Sequence, residues 1–217
     1  MELKEFNYNL IEKYNTIENV TELSSPLLVS TNKTYLNNIK NSNNRILYIG
    51  QETNGWVNDG DYSVITQELI ENTYLDVIKR KNSNEFFKFL NNFSANNFHD
   101  VIWSNTLIAG KKYGKGHPVI TDKLQELSLE NLIFLYKYFR PHITLFVSGP
   151  CNPYYEIIKE FLNTINSKID TYPKNDNPVI LDSDKNIFWT YHPNYLNRSH
   201  LKQMVLKNIK ISNRSDY

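Results

Sequence analysis

The feature that most limits the fold is a set of short, unbroken apolar runs separated by stretches of helical periodicity. They are "RILYIG" (45–50), "FHDVIWSN" (98–105) and "RPHITLFVSG" (140–149). Runs this short without polar alternation suit strands buried on both faces, as in a parallel sheet covered by helices. Between and after them, residues 64–81, 83–93 and 122–139 carry helical spacing. In the last of these, Leu124, Leu127, Leu132, Leu135 and Phe139 are the apolar positions. Ser83 is placed to cap the second helix. "CNPYYEIIKEFLNTIN" predicts another helix, with Asn152 at its N-cap and Pro153 at its first position. "NPVILD" and "NIFWTYH" are two short strand candidates, and a final helix is predicted to begin near Ser199. The expected class is α/β: a three-layer α/β/α domain with a central, mostly parallel four-stranded sheet. Residues 1–217 form one domain, with an N-terminal helical arm at about 1–40. That arm opens with an amphipathic helix over 2–14, with Leu3, Phe6, Leu10 and Ile11 on one side, and continues as a polar connector.

Composition bounds the function classes. At 40% hydrophobic and 13% aromatic residues, the chain can bury a sizeable core and is not of disordered composition. No apolar run reaches the roughly 18–20 residues of a membrane span, and "MELKEFNYNLIEKYN" does not read as a signal peptide. The single cysteine, Cys151, excludes an internal disulfide and a cysteine-only zinc or iron–sulfur site within one chain. The expectation is a cytoplasmic monomer with no metal, no cofactor and no membrane partner. The net charge of +1 points neither toward nucleic acid nor away from it; a nucleic-acid enzyme of this charge must focus its basic residues on one face.

In open sheets of this kind, ligands bind beyond the carboxyl ends of the strands. The segments there are "GQETNGW" (50–56), "SNTLIAGKK" (104–112), "GPCNP" (149–153) and "HPNYLNRS" (192–199). They bring glutamate, asparagine, histidine and basic residues to one rim. His99, His142 and His200 lie inside helix or strand patterns without metal spacing, and His117, on the glycine-rich loop, is placed where it could contact a ligand but is read as more often a solvated residue.

This set resembles the uracil-DNA glycosylase superfamily over roughly residues 45–210. The family's first motif, G-Q-D-P-Y, is similar to Gly50-Gln51-Glu52-Thr53-Asn54, and its last, H-P-S-P-L-S, to His192-Pro193-Asn194-Tyr195-Leu196-Asn197. Asn105, ending "VIWSN", looks like the family's base-reading asparagine, and "FRPHITLFVSG" looks like a later strand of the form L-x-P-x-x-x-L-x-x-G.

The resemblance implies hydrolysis of the N-glycosidic bond of a base flipped out of DNA. Breaking that bond builds positive charge on the sugar and negative charge on the base. Glu52 is the candidate carboxylate that steadies the sugar and orients or deprotonates water, and His192 the candidate donor to the base oxyanion. Gly50, Gln51, Asn54, Trp56, Tyr62 and Asn105 are the base-binding candidates; Trp56 or Tyr62 would supply a stacking ring. Tyr195 and Leu196 stand where the family carries its wedge, Arg198 is the expected phosphate anchor, and Lys111, Lys112 and Lys115 add phosphate contacts. The family's Pro-Tyr, whose ring excludes bases substituted at C5, is replaced by Thr53-Asn54 followed by Gly55, which implies a pocket open to a base larger than uracil. Two other readings stand beside this one: a non-catalytic nucleobase or nucleic-acid binding protein on the same fold, and a hydrolase of small nucleosides or nucleotides.

Overall fold

The computed structural model describes residues 1–52, 67–79, 84–94, 100–113 and 116–212. The chain begins with α1 (Leu3–Tyr14), whose buried residues Leu3, Phe6, Asn7, Leu10 and Tyr14 recur at helical spacing. After a 3-10 turn at Val20–Glu22 comes α2 (Lys33–Asn41). There follow β1 (Ile46–Gly50), α3 (Gln67–Lys79), α4 (Glu85–Leu90), β2 (Val101–Asn105) and α5 (Asp122–Phe139). The chain continues with β3 (Ile143–Phe146), α6 (Tyr154–Thr164), β4 (Val179–Asp182), β5 (Ile187–Thr190), α7 (Pro193–Arg198) and α8 (Lys202–Ser212).

The sheet has five strands rather than the expected four, in the order β2-β1-β3-β5-β4. β1 pairs in parallel with both β2 and β3, and β3 in parallel with β5. The fifth strand, β4, is antiparallel to β5 and forms a hairpin edge, with Asp182 opposite Ile187. Both strand candidates between 177 and 192 are therefore real, and they close the sheet together. β1, β2, β3 and β5 are buried along their whole length, whereas Leu181 of β4 is exposed. β4 is thus the exposed edge, while β2, at the other end of the order, is a covered one.

Helices pack around this sheet. α5 lies against α1 and α6, while α7 lies against α4 and α8. The first 40 residues are packed into the same core: the Phe6 ring stacks on Phe134 at 3.7 Å, and Leu27, Leu28 and Val29 are buried. α2 falls in what reads as a polar connector, because only Tyr35 and Ile39 of its nine residues are buried. Asn32 caps it by accepting from Tyr35 N–H, and the Tyr35 hydroxyl donates to the Val101 carbonyl at 2.8 Å.

Three expected boundaries shift for local reasons. Asn84, not Ser83, caps α4, accepting from Phe87 N–H at 3.0 Å. α6 begins one residue late, with Pro153 in the N-cap position, and in the turn before it Tyr155 N–H donates to the Cys151 carbonyl at 3.1 Å. The single helix expected from Ser199 is two. α7 starts at Pro193 and ends in a Schellman cap: His200 is left-handed at φ 59°, Leu201 N–H donates to the Leu196 carbonyl, and His200 N–H to that of Asn197. Among the described residues, no helix is long and apolar enough to cross a membrane.

Candidate active site

The parallel strands end at one level. Gly50 stands beside Asn105 in the register, and Ile49 beside Phe146. A knot of hydroxyls ties these ends together. The Gly50 carbonyl accepts from Thr106 N–H at 2.8 Å and from the Ser148 hydroxyl at 2.7 Å, and the Thr106 and Ser148 oxygens lie 2.6 Å apart. Gln51 spends its side-chain amide on the Ser148 carbonyl, at 2.9 Å. Gly50 itself is required by packing: a Cβ there would sit 2.5 Å from Asn105 Oδ1 and 2.8 Å from the Phe86 ring.

A cleft of about 810 Å³ opens over this rim. Phe86, Phe87 and Trp103 give it aromatic surface, and so do Tyr191 and Tyr195. Polar groups reach it from separate segments: Glu52 after β1, Asn105 at the end of β2, Ser148 after β3, and His192 and Arg198 after β5. Glu52, Asn105 and His192, three residues singled out from sequence, thus share one cavity.

His192 is fixed by its place in the chain. It is the N-cap of α7, and its Nδ1 accepts from Asn194 N–H at 3.2 Å. An accepting Nδ1 carries no proton, so the neutral ring holds its proton on Nε2. Burial first, and then the Arg198 guanidinium, lower its pKa from 6.5 to about 4. The result is an uncharged imidazole at neutral pH with an N–H donor left over. Phe86 runs nearly parallel to it, ring centroids 6.1 Å apart.

Glu52 is held differently. Its side chain is only 7% exposed. The Tyr154 hydroxyl donates to one carboxylate oxygen, and His117 Nδ1 lies 3.3 Å from the other. Tyr154 oxygen and His117 Nδ1 are themselves 2.8 Å apart. Burial, and then the hydrogen bond to Glu52, push the Tyr154 phenol well above its ordinary pKa. Sequence reading left His117 in solvent and passed over Tyr154 and Phe86. Tyr154 directly follows the rim segment "GPCNP", the one signal in the sequence that could have drawn attention to it.

Comparison with protein-family models and with curated proteins finds no match for this chain.

The remaining predicted residues divide. Tyr195 and Arg198 line the cleft; Tyr195 is braced by its hydroxyl on Asn175 Oδ1 at 3.0 Å and by the Tyr191 ring. Leu196 is not presented as a wedge: it is 0% exposed and, with Pro193, anchors α7 in the core. Lys111 and Lys112 are outside the cleft lining, held beside the 3-10 turn by a bridge to Leu23 and by Lys112 N–H on the Glu22 carbonyl at 2.8 Å. Asn54, Trp56, Tyr62 and Lys115 lie outside the described residues. Among the described residues, no three His, Cys, Asp or Glu side chains gather as metal ligands.

Proposed function

We propose that the protein is a DNA glycosylase-like hydrolase, a divergent relative of the uracil-DNA glycosylases on a three-layer α/β/α fold, which cleaves the N-glycosidic bond of a flipped base. The observation that carries this reading is the pairing, in one aromatic cleft, of a carboxylate with a neutral imidazole whose free N–H is on Nε2. When the bond from the sugar carbon to the base nitrogen breaks, its electrons stay on the base. His192 Nε2–H donates to the carbonyl oxygen where that charge collects, and a neutral donor keeps its proton while stabilising it. Glu52 faces the cationic sugar; water adds to the sugar carbon and gives its proton to the carboxylate. Asn105 lines the cleft with an amide, the group whose donor and acceptor atoms match a base edge, and Phe86 supplies a ring for stacking. The replacement of the family's Pro-Tyr by Thr53-Asn54, followed by Gly55, suits a base bearing a C5 substituent.

A second reading is favoured by one observation. Among the described residues, Arg198 is the sole lysine or arginine lining the cleft. A substrate with a single phosphate, or none, fits that supply of charge, which suits a hydrolase of small nucleosides or nucleotides. One panel separates the two: single-stranded and duplex oligonucleotides carrying uracil, mismatched thymine, or hydroxymethylated or glycosylated cytosine, alongside the corresponding free nucleosides. Base release from oligonucleotides alone supports the glycosylase; release from nucleosides alone replaces it.

A further inference from the structure

The contacts around Glu52 exceed what a turn residue needs. Tyr154 is brought from the first position of α6, with its ring fully buried, and His117 from the loop that leads into α5. Together with Glu52 they make a closed triangle of three polar groups, in which every side is a hydrogen-bond contact.

We propose that Tyr154 and His117 are positioning residues that clamp the Glu52 carboxylate in one orientation toward the cleft, a role that rests on the hydrolase reading above. The phenol has one proton, and it goes to Glu52. The phenol oxygen must then accept from His117, so the neutral imidazole carries its proton on Nδ1. That same N–H faces the second carboxylate oxygen. Each carboxylate oxygen therefore has one protein donor and keeps lone pairs for a water or a sugar. A glutamate reaches through two methylene groups and has more rotamers than an aspartate. Pinning both oxygens removes that freedom before the substrate arrives, the form of preorganisation that misplacement by an ångström forfeits. The two halves of the site thereby use opposite tautomers: proton on Nδ1 in His117, on Nε2 in His192.

Two measurements test the clamp. The first needs no turnover: nitrogen NMR of the full chain, labelled at histidine and recorded at alkaline pH, should show neutral His117 protonated on Nδ1. Protonation on Nε2 overturns the clamp whether or not the protein cleaves anything. The second uses whichever oligonucleotide of the panel the wild type cleaves. Tyr154→Phe should lower kcat at least ~10-fold with KM within about 2-fold, since the clamp acts on the reacting group and not on binding. His117→Ala should do the same, and His117→Asn, whose amide N–H replaces Nδ1–H, should recover to within about 3-fold of wild type. His117 is half exposed, so its variants report even if Tyr154→Phe does not fold. Unchanged kcat in both Tyr154→Phe and His117→Ala overturns the proposal. An Nδ1 proton in a protein that releases no base leaves the clamp standing and removes the hydrolase reading instead.

Discussion

Gly50 shows how little slack the site has. A methyl group there meets Asn105 Oδ1 at 2.5 Å and Phe86 at 2.8 Å, and both belong to the cleft. Gly50→Ala should therefore lower stability by about 1–3 kcal/mol through overpacking, read by urea unfolding, and should abolish base release even where it folds. His192→Asn makes a cleaner cut. Asparagine keeps the acceptor that caps α7 but removes the Nε2 donor, so the fold should persist while base release falls at least ~10²-fold; Glu52→Gln should match it. His192 also leaves a mark on stability. Its pKa is about 4 in the cleft and 6.5 in the open chain, so between those values the unfolded state binds a proton that the native state refuses. Its contribution is intact above pH 6.5 and declines as pH falls toward 4, by up to about 3 kcal/mol. The difference in unfolding free energy between wild type and His192→Asn should move by that amount across the window. Glu52, Asn105 and His192 were legible because each lies at, or two residues past, the carboxyl end of a strand, and a parallel sheet sends its strand ends to one rim. The clamp was not legible, because Tyr154 is 102 residues from Glu52, and His117 is 65 residues from it, so no local pattern links them.

At the scale of elements, the legible parts were those whose periodicity survives in sequence. α5 has seven buried residues over eighteen, enough to read directly. α2 has two, and its polar remainder hid it. The split between α7 and α8 was hidden because the Schellman cap places His200 in the left-handed region, where a glycine or asparagine would have advertised the break. Both short candidates, "NPVILD" and "NIFWTYH", belong to the sheet, as β4 and β5, so the expected count of four was one too few. Caps set where these elements begin. Thr121 accepts from Leu124 N–H at 3.2 Å at the start of α5, so Thr121→Ala should lower the unfolding free energy by about 1 kcal/mol. Thr121 itself is not among the residues lining the cleft.

At the scale of the molecule, the charge sets how nucleic acid would be held. A chain at +1 has no general pull on phosphate, and among the described residues the cleft offers Arg198 alone of the lysines and arginines. Binding to a single-stranded oligonucleotide should be weak and salt-sensitive, and Arg198→Ala should reduce the slope of log affinity against log salt by about 1. Lys111→Ala with Lys112→Ala should leave the slope closer to wild type, because neither lines the cleft; an equal loss would move the phosphate path toward the 3-10 turn. The order of the sheet has a consequence for how such a protein comes into being. β3 lies between β1 and β5, so the first strand to be synthesised has its central neighbour late, and that neighbour completes its own pairing later still. On the ribosome, Glu52 emerges long before Tyr154, and both precede His192. A chain that stalls or is clipped before β5 carries the carboxylate without the imidazole. Unfinished copies therefore lack half of the cleft's polar groups, and the site is whole only once the segment after β5 has joined it.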